Sequence, residues 1–293
     1  MDVRSILLGL LFAVIWSSAF TSARIIVEAA PPLWALTLRY ALSGGVGVAL
    51  AAILGQSARL TAAQWRAVVL FGICQNAIYL GLNFIAMQWV EASVAAIIAS
   101  TMPLMVAVLA WAVFGDNLPV QGRLGLVAGL AGVVLIMGQR LGGGADVLGV
   151  ALCILGAAAL SVATLAVRAA GAAGNLLMVV GLQLLVGGTA LLPVAFLFEP
   201  VEVDWSSTLA LAFVYTTFVP GLLATFLWFV LVERIGPTKA ATFHFLNPVF
   251  GVLIAFIILD EPLRGTDFLG VAAVAGGILA VQGARARPHA DVK

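Results

Sequence analysis

Two apolar stretches, each long enough to cross a membrane and each carrying a proline near its middle, constrain the fold of this chain most. They run over 92–114 around Pro103 and over 238–259 around Pro248. Proline has no backbone N–H and its ring displaces the carbonyl one turn earlier, so each stretch leaves backbone polar groups unpaired. Lipid cannot satisfy such groups, which are tolerated in a membrane only against protein or a water-filled cavity. Both prolines are therefore predicted to be helix breaks or hinges.

The sequence that follows each proline is also repeated. Thirteen residues separate Pro103 from Asp116, and thirteen separate Pro248 from Glu261, so an offset of 145 relates the two halves. The same offset pairs three glycines with three later ones: Gly125 with Gly270, Gly132 with Gly277 and Gly138 with Gly283. The two halves are therefore predicted to end in the same pair of helices.

Composition places the whole chain in a membrane. Hydrophobic residues make up 63% and charged residues 9%, whereas soluble domains carry about 25% charged residues. Ten apolar runs approach the roughly 20 residues that a membrane-spanning helix needs, and none shows the alternation of a β-barrel strand. The predicted fold class is an all-α membrane protein with ten transmembrane helices: 5–26, 33–54, 64–88, 92–114, 122–139, 147–169, 175–197, 206–231, 238–259 and 265–283.

The predicted helices divide into two units. Residues 1–139 form a first five-helix repeat, 140–145 a linker, 146–283 a second repeat and 284–293 a cytoplasmic tail. Because each unit has an odd number of helices, the second is inverted relative to the first. Inverted repeats around a central cavity are a recurring transporter architecture.

Charge predicts the orientation and limits the partners. With the N-terminus in the cytoplasm, ten Lys and Arg side chains fall on the inner side and three on the outer side, which satisfies the positive-inside rule. Both termini are therefore predicted to be cytoplasmic. The net charge of +1 gives no reason to expect nucleic acid. The expected partners are a small-molecule substrate and the lipid bilayer, and the chain is expected to be a monomer.

Aromatic and polar side chains within the spans are the candidate substrate-binding residues. Aromatic rings suit an apolar body, and amides, hydroxyls and an imidazole suit polar ends. The alternatives are that hydroxyls bond to their own helix and that His244 is an interhelical hydrogen-bond partner. The candidates are Trp16, Gln75, Tyr79, Asn83, Ser100, Tyr215, Phe218, Phe243, His244 and Asn247.

Arg39 is a charge several residues inside the second apolar run. A charge at this depth is costly, so it must reach the interface or find partners. The favoured expectation is that Arg39 snorkels to the outer face; the alternatives are carbonyl or acidic partners, or contact with a substrate carboxylate. The spans carry no central Asp or Glu and no cluster of nucleophiles or metal ligands, so the sequence predicts no cofactor, no metal and no catalytic group.

Several motifs resemble the drug/metabolite transporter superfamily, in particular its ten-helix EamA-type members. Residues 16–20, Trp-Ser-Ser-Ala-Phe, resemble the family's first-helix W-G-x-x-F with serine for glycine, and Arg39 follows Pro31-Pro32. Pro103 is followed by Asp116, at a position where the family usually has glutamate. In the second half, the dipeptide Pro-Val at 248–249 is followed by Glu-Pro-Leu at 261–263. Among these proteins the chain most resembles bacterial exporters of aromatic amino acids.

This resemblance implies an inner-membrane exporter that works by alternating access through a central cavity. Because no carboxylate lies at the centre of a span, we expect weak or no ion coupling. A proton-coupled drug or metabolite efflux transporter is the alternative, and a passive channel is a more remote one. A membrane enzyme would need a nucleophile, carboxylate or metal cluster that the spans do not offer.

Overall fold

The structure of the protein, a computed structural model, describes residues 2–114, 120–142, 146–167, 175–235, 240, 242–263 and 265–285. Every regular element within these ranges is helical. Asp116, residues 143–145 of the predicted linker and the tail from residue 286 onward lie outside the described residues.

Within the described residues, the first half contains seven α-helices and one π-helical segment. They are α1 (Val3–Ala29), α2 (Pro32–Ile53), α3 (Ala62–Phe71), π1 (Gly72–Leu80), α4 (Gly81–Ala86), α5 (Ala92–Ala99), α6 (Met102–Phe114) and α7 (Val120–Gly142). The last of these helices continues three residues into the predicted linker.

The second half repeats this order with one further element type. It contains α8 (Val147–Val167), α9 (Leu176–Phe198), α10 (Ser207–Thr216), π2 (Thr217–Leu223), α11 (Ala224–Ile235), a 3₁₀ turn (Thr242–Leu246), α12 (Asn247–Leu259) and α13 (Gly265–Arg285).

Six helical runs in the described part of the chain are long and apolar enough to cross a membrane. They are Val3–Ala29, Pro32–Ile53, Ala62–Ala86, Val147–Thr164, Leu176–Phe198 and Ser207–Ile235. Large apolar side chains such as Leu211 and Phe196 are exposed on their outer faces. In a helix this long, an exposed apolar surface is what lipid requires. The chain is therefore a multi-pass membrane protein.

Local sequence determines where several helices begin. The carboxylate of Asp2 accepts from Ser5 N at 3.2 Å at the start of α1, and Ser206 Oγ accepts from Leu209 N at 3.0 Å at the start of α10. Thr61 and Gln64 form a capping box at α3. Such caps satisfy N–H groups that have no partner within the helix.

The π-helical segments lie within the third and eighth predicted spans and were not predicted from the sequence. In π1, the Asn76 amide donates to the backbone oxygen of Gln183 on α9 at 2.9 Å and to its Oε1 at 3.0 Å. In π2, Pro220 has no N–H to donate to the carbonyl of Thr216 one turn earlier. In both segments the regular α-helical hydrogen-bond pattern is interrupted where a polar group forms a hydrogen bond with a residue of another helix.

Both proline-containing stretches are broken. One α-helix ends at Ala99 and the next begins at Met102, so Pro103 is the second residue of α6. The 3₁₀ turn ends at Leu246 and α12 begins at Asn247, so Pro248 is also a second residue. Proline is compatible with the first turn of a helix because the N–H groups there have no helical acceptor.

Helices of the two halves pack against each other throughout. Helix α2 packs along α9, α5 packs on α12, and α7 packs along α13. The last pair is close because of glycine: a Cβ on Gly277 would collide with the backbone of Gly125 and Gly129. Such small residues allow helix backbones to approach closely.

Candidate functional site

A small cavity lies between helices of both halves. Its wall contains four of the ten predicted binding residues, Trp16, Gln75, Tyr79 and Asn83. The centre of a water molecule can occupy about 30 Å³ of it, and a single water needs about 10–15 Å³. The other lining residues are Ala19, Phe20, Ala23, Arg39, Tyr40, Asn76, Leu80, Phe84, Met87, Leu184, Pro220, Gly221 and Thr225. We call this space the central cavity.

The segment π1 and the following helix α4 supply the polar wall of the central cavity. Tyr40 OH donates to the backbone oxygen of Asn76 at 3.1 Å, and the Asn76 side chain is bound to Gln183. Asn83 Nδ2 donates back to Tyr79 O at 2.8 Å, whereas Asn83 Oδ1 is buried without a hydrogen-bond partner. An unpaired buried acceptor is costly. Asn83 therefore offers acceptor capacity at the edge of the cavity.

Arg39 also lines the central cavity, and the expectation that it snorkels outward is wrong. Its side chain is 4% exposed, and Nε donates to the backbone oxygen of Thr216 at 3.0 Å. Its guanidinium lies 5.5 Å from the ring centroid of Tyr40 and 5.8 Å from that of Phe84. A carbonyl and two aromatic faces inside the bundle replace the partners that snorkelling would have found.

The sequence Pro220-Gly221 makes the space that Arg39 occupies. Because proline cannot donate to the Thr216 carbonyl, that oxygen is free to accept from Arg39. A Cβ on Gly221 would lie 3.2 Å from Arg39 Nη2 and 3.3 Å from Nε, which is tighter than side chains normally pack. These two residues therefore place a cation in the cavity wall.

A second polar group, which we call the His244 cluster, adjoins the cavity through Trp16. Asn247 Nδ2 lies 2.9 Å from His244 Nδ1, and Ser17 Oγ donates to Asn247 Oδ1 at 3.3 Å. An amide nitrogen can only donate, so Nδ1 must accept, and the neutral ring carries its proton on Nε2. All three residues are buried.

Aromatic rings enclose the His244 cluster. The imidazole lies 5.1 Å from Phe12, 5.6 Å from Trp16 and 4.9 Å from Trp228, all between ring centroids and all roughly edge-to-face. Aromatic pairs at such distances favour tilted geometries. Phe12 was not predicted from the sequence, because a phenylalanine in an apolar helix carries no signal that separates a site neighbour from a packing residue.

The other predicted binding residues lie away from the cavity wall in this conformation. Ser100 Oγ donates to the backbone oxygen of Ile97 at 2.6 Å. Tyr215 OH pairs with Ser18 Oγ at 2.7 Å on the exposed side of α10, and Phe218 is half-buried. The Phe243 ring packs where a Cβ on Gly9 would be. None of these residues, nor His244 or Asn247, is among those that line the central cavity.

One end of the bundle, which we call the Glu199 end, is held by carboxylates on helix N-termini. Glu199 accepts from the N–H groups of Leu33 and Trp34 at 2.8 and 3.1 Å, and Glu261 accepts from Ala92 and Ser93 at 2.7 and 3.1 Å. Negative charge is stabilised at a helix N-terminus. Burial raises the pKa of Glu199, and the N–H groups of Trp34 and Leu33 partly oppose this increase.

Arg24 adds a further contact at the Glu199 end. Its guanidinium forms an ion pair with Glu28 at 2.7 Å and donates to the backbone oxygens of Met87 and Val90. Helix α1 is thereby joined to the loop that precedes α5. In this conformation, ion pairs and hydrogen bonds therefore link neighbouring elements at the Glu199 end.

Comparison with known proteins identifies the family. The EamA-like transporter family matches the chain twice, over residues 3–138 and 147–282. Protein PecM of Dickeya dadantii (strain 3937) is 28% identical over 271 residues, which are 92% of this chain and 89% of PecM. The uncharacterized transporter YvbV of Bacillus subtilis (strain 168) is 24% identical over 279 residues, 95% of this chain and 91% of YvbV.

Two further matches agree with this. The uncharacterized inner membrane transporter YedA of Escherichia coli (strain K12) is 25% identical over 281 residues, 94% of this chain and 90% of YedA. A solved crystal structure superposes with a TM-score of 0.68 at 23% identity and covers 96% of both chains, which supports the fold. The duplicated match over nearly the whole length shows that this chain belongs to the EamA-like transporter family.

Proposed function

We propose that this chain is a monomeric ten-helix exporter of the bacterial inner membrane that moves small amphipathic metabolites, with aromatic or other amino acids favoured. It works by alternating access between two inverted five-helix repeats, and both termini are cytoplasmic. The observation that carries the proposal is the central cavity, which lies between the halves and combines aromatic rings with amides and one cation.

The helix contacts support an inverted repeat. If each predicted span corresponds to the span five places later in the chain, then two spans that pack together should have counterparts that also pack together. Helix α1 packs on α10 and α11, and correspondingly α8 packs on α3 and α4. Helix α1 also packs on α12, and α8 on α6; α2 packs on π2, and α9 on π1. A two-fold relation between the halves accounts for these matched pairs.

The irregular segments obey the same offset. Residue 72 begins π1 and residue 217 begins π2, which differ by 145. The first broken helix resumes after residue 101 and the second after residue 246, which also differ by 145. Irregular backbone at equivalent depth in both halves, next to a cavity, is a feature of transporters built from inverted repeats.

The small volume of the cavity supports alternating access. An amino acid does not fit in space for about two or three water molecules. The bundle must therefore open to load, and the contacts at the Glu199 end must break if that end opens. With both termini in the cytoplasm, as the positive-inside rule predicts, the Glu199 end faces the outer side.

The chemistry of the wall supports a small substrate with an apolar body. Trp16, Phe20 and Tyr79 provide aromatic faces, while Gln75 and Asn83 provide amides. No carboxylate lines the cavity among the described residues, so the proposal includes weak or no ion coupling. One observation favours the proton-coupled efflux alternative: His244, a titratable group, touches the cavity residue Trp16.

Transport by the purified chain in proteoliposomes tests the proposal. We expect saturable, counterflow-capable flux of labelled phenylalanine or tryptophan above that of empty vesicles. Trp16→Ala is expected to reduce the flux at least tenfold, whereas the matched control Trp205→Ala, which alters an exposed loop residue, is expected to leave it unchanged.

Each contrary result removes a defined part of the proposal. Flux of amino acids no greater than in empty vesicles would remove the substrate assignment. Uphill accumulation driven by a pH gradient and lost in His244→Ala would establish the proton-coupled alternative. Single-channel currents would establish a channel.

A further inference from the structure

Arg39 is a buried cation whose charge no described residue neutralises. Its interactions are one hydrogen bond to Thr216 O and two aromatic contacts, so the N–H groups on Nη1 and Nη2 have no acceptor in the described part of the chain. The described carboxylates all lie at or near helix ends or in connecting loops. An arginine stays protonated even when buried, and a buried unpaired charge is costly.

Arg24 is a second arginine within a long helix of this chain, and its contacts differ from those of Arg39. Arg24 has an ion pair with Glu28 and two carbonyl acceptors. Arg39 has neither a carboxylate nor a second carbonyl, although it is far more buried. Arg39 is part of the wall of the central cavity, so a group inside that cavity is within reach of its side chain.

We propose that Arg39 binds the carboxylate of the transported molecule, so that the central cavity selects small organic carboxylates, amino acids included, over amides and cations. This inference rests on the proposed function, because it names the group by which the same cavity recognises its substrate. The two Nη atoms of a guanidinium match the two oxygens of a carboxylate in a bidentate pair.

The surroundings of Arg39 are suited to this role. Its Nε is held by the Thr216 carbonyl, and the faces of Tyr40 and Phe84 flank the guanidinium. These contacts orient the side chain and leave its other donors available. The rings of Trp16 and Tyr79 line the same cavity and provide an apolar surface for the rest of the substrate.

A carboxylate is selected over its amide because only the carboxylate neutralises the buried charge. Hydrogen bonds to charged groups correspond to about a tenfold to hundredfold difference in affinity. A cationic compound meets like charge in the cavity and is excluded. This separates the cavity from one built for cationic drugs.

Binding to the purified full-length chain in detergent, measured by calorimetry, tests the proposal without requiring transport. The probes are 3-phenylpropanoate, its near-isosteric amide 3-phenylpropanamide and the amine phenethylamine. Wild-type protein is expected to bind the acid at least tenfold more tightly than the amide, and not to bind the amine. Arg39→Gln is expected to reduce acid affinity to the amide level, and Arg39→Lys to give an intermediate value because it keeps the charge but loses the planar fork.

The matched control is Arg59→Gln, which removes an exposed arginine and is expected to change neither affinity. Equal binding of acid and amide to wild-type protein would overturn the proposal, and this comparison does not depend on any variant folding. An acid preference that persists in Arg39→Gln would also overturn it.

Failure of this inference can be distinguished from failure of the proposed function. A second pair, 4-methylpentanoate and its amide, replaces the aromatic body with an aliphatic one. An Arg39-dependent preference for that acid, with no binding of the phenyl compounds, would sustain the inference while removing the aromatic substrate. If the Arg39→Gln variant transported phenylalanine as fast as the wild type, the proposed export function would be supported and the proposed role of Arg39 would be contradicted. Absence of binding by every acid in the panel would remove the inference as well.

Discussion

The two broken helices occupy equivalent positions in the two halves but differ in chemistry. Between α5 and α6 the hydroxyls of Ser100 and Thr101 donate to carbonyls of their own helix, Ile97 O at 2.6 Å and Ile98 O at 2.7 Å. Before α12 the polar groups instead reach another helix, through Asn247 to Ser17 on α1.

The offset of 145 identifies the substitutions responsible. Ala99 corresponds to His244, because 99 + 145 = 244, and Met102 corresponds to Asn247, because 102 + 145 = 247. An apolar pair in the first half is therefore a polar pair in the second. Duplication preserved the break, which depends on backbone and proline, while the side chains beside it diverged. The second break is the one that adjoins the cavity residue Trp16.

The largest effect is expected from His244→Ala. This change removes three aromatic contacts and the acceptor for Asn247, and truncation of a buried ring costs about 3–5 kcal/mol. We expect a lower unfolding temperature in detergent and at least a tenfold loss of transport. His244→Phe is the matched variant: it keeps the ring contacts, so it should recover most of the stability but not the hydrogen bond. Equal stability of His244→Ala and wild type would contradict the account.

A smaller effect is expected from Asn247→Leu. The substitution leaves Ser17 Oγ and His244 Nδ1 without their shared partner, and an unpaired buried polar group costs about 1–3 kcal/mol. The control is Met102→Leu at the equivalent position, a volume-conserving change that usually costs less than about 1.5 kcal/mol. Both are measured by thermal unfolding and by flux in proteoliposomes. If the two variants lose the same stability, the breaks do not differ as described.

Ser17→Ala should have a modest effect. It removes one hydrogen bond, 3.3 Å long, from the His244 cluster, and such a bond contributes about 1 kcal/mol. The expected result is a small drop in unfolding temperature with measurable transport retained. A loss as large as that of Asn247→Leu would mean that Ser17 has a role beyond this bond.

The smallest effect is expected from Ser100→Ala combined with Thr101→Val. Ile97 O and Ile98 O also accept from the backbone N–H groups of residues 100 and 101, at 3.2 and 3.0 Å, so no carbonyl loses its last partner. We expect a change in unfolding free energy below about 0.5 kcal/mol and unchanged flux. A tenfold loss of flux would instead show that the hydroxyl of Ser100 or Thr101 contacts the substrate in another conformation.

The sequence predicts the positions of the helices well but not the contacts between helices that are distant in sequence. Apolar runs of membrane length and two central prolines are local signals, and the helices and both breaks follow from them. The π-helical segments and the inward position of Arg39 depend on tertiary partners. Arg39 bonds to a carbonyl 177 residues away, and Asn76 bonds to a side chain 107 residues away, so no local pattern contains either contact.

For the candidate site, the sequence could identify polar and aromatic residues within spans but not the direction in which each one points. Gln75 and Tyr79 on π1 and Asn83 on α4 line the cavity, and their positions depend on the packing of these segments on α8 and α9. Ser100 points back to its own helix, which was the alternative for any hydroxyl in a span. A useful signal was the dipeptide Pro220-Gly221, since a proline that frees a carbonyl implies a donor on another helix.

The central claim is that the cavity between the halves opens to each side of the membrane in turn. The most direct test places a cysteine in its wall, Gln75→Cys, in a chain that also carries Cys74→Ser and Cys153→Ala, and labels it in sealed vesicles with a membrane-impermeant maleimide. Two variants serve as controls. Trp205→Cys lies on an exposed loop and should react with the maleimide from one side only. Ala99→Cys lies at the buried end of α5 and should react from neither side. The account predicts that residue 75 reacts from both sides, with the balance shifted by substrate. Reaction from neither side, or from one side only under every condition, would contradict it.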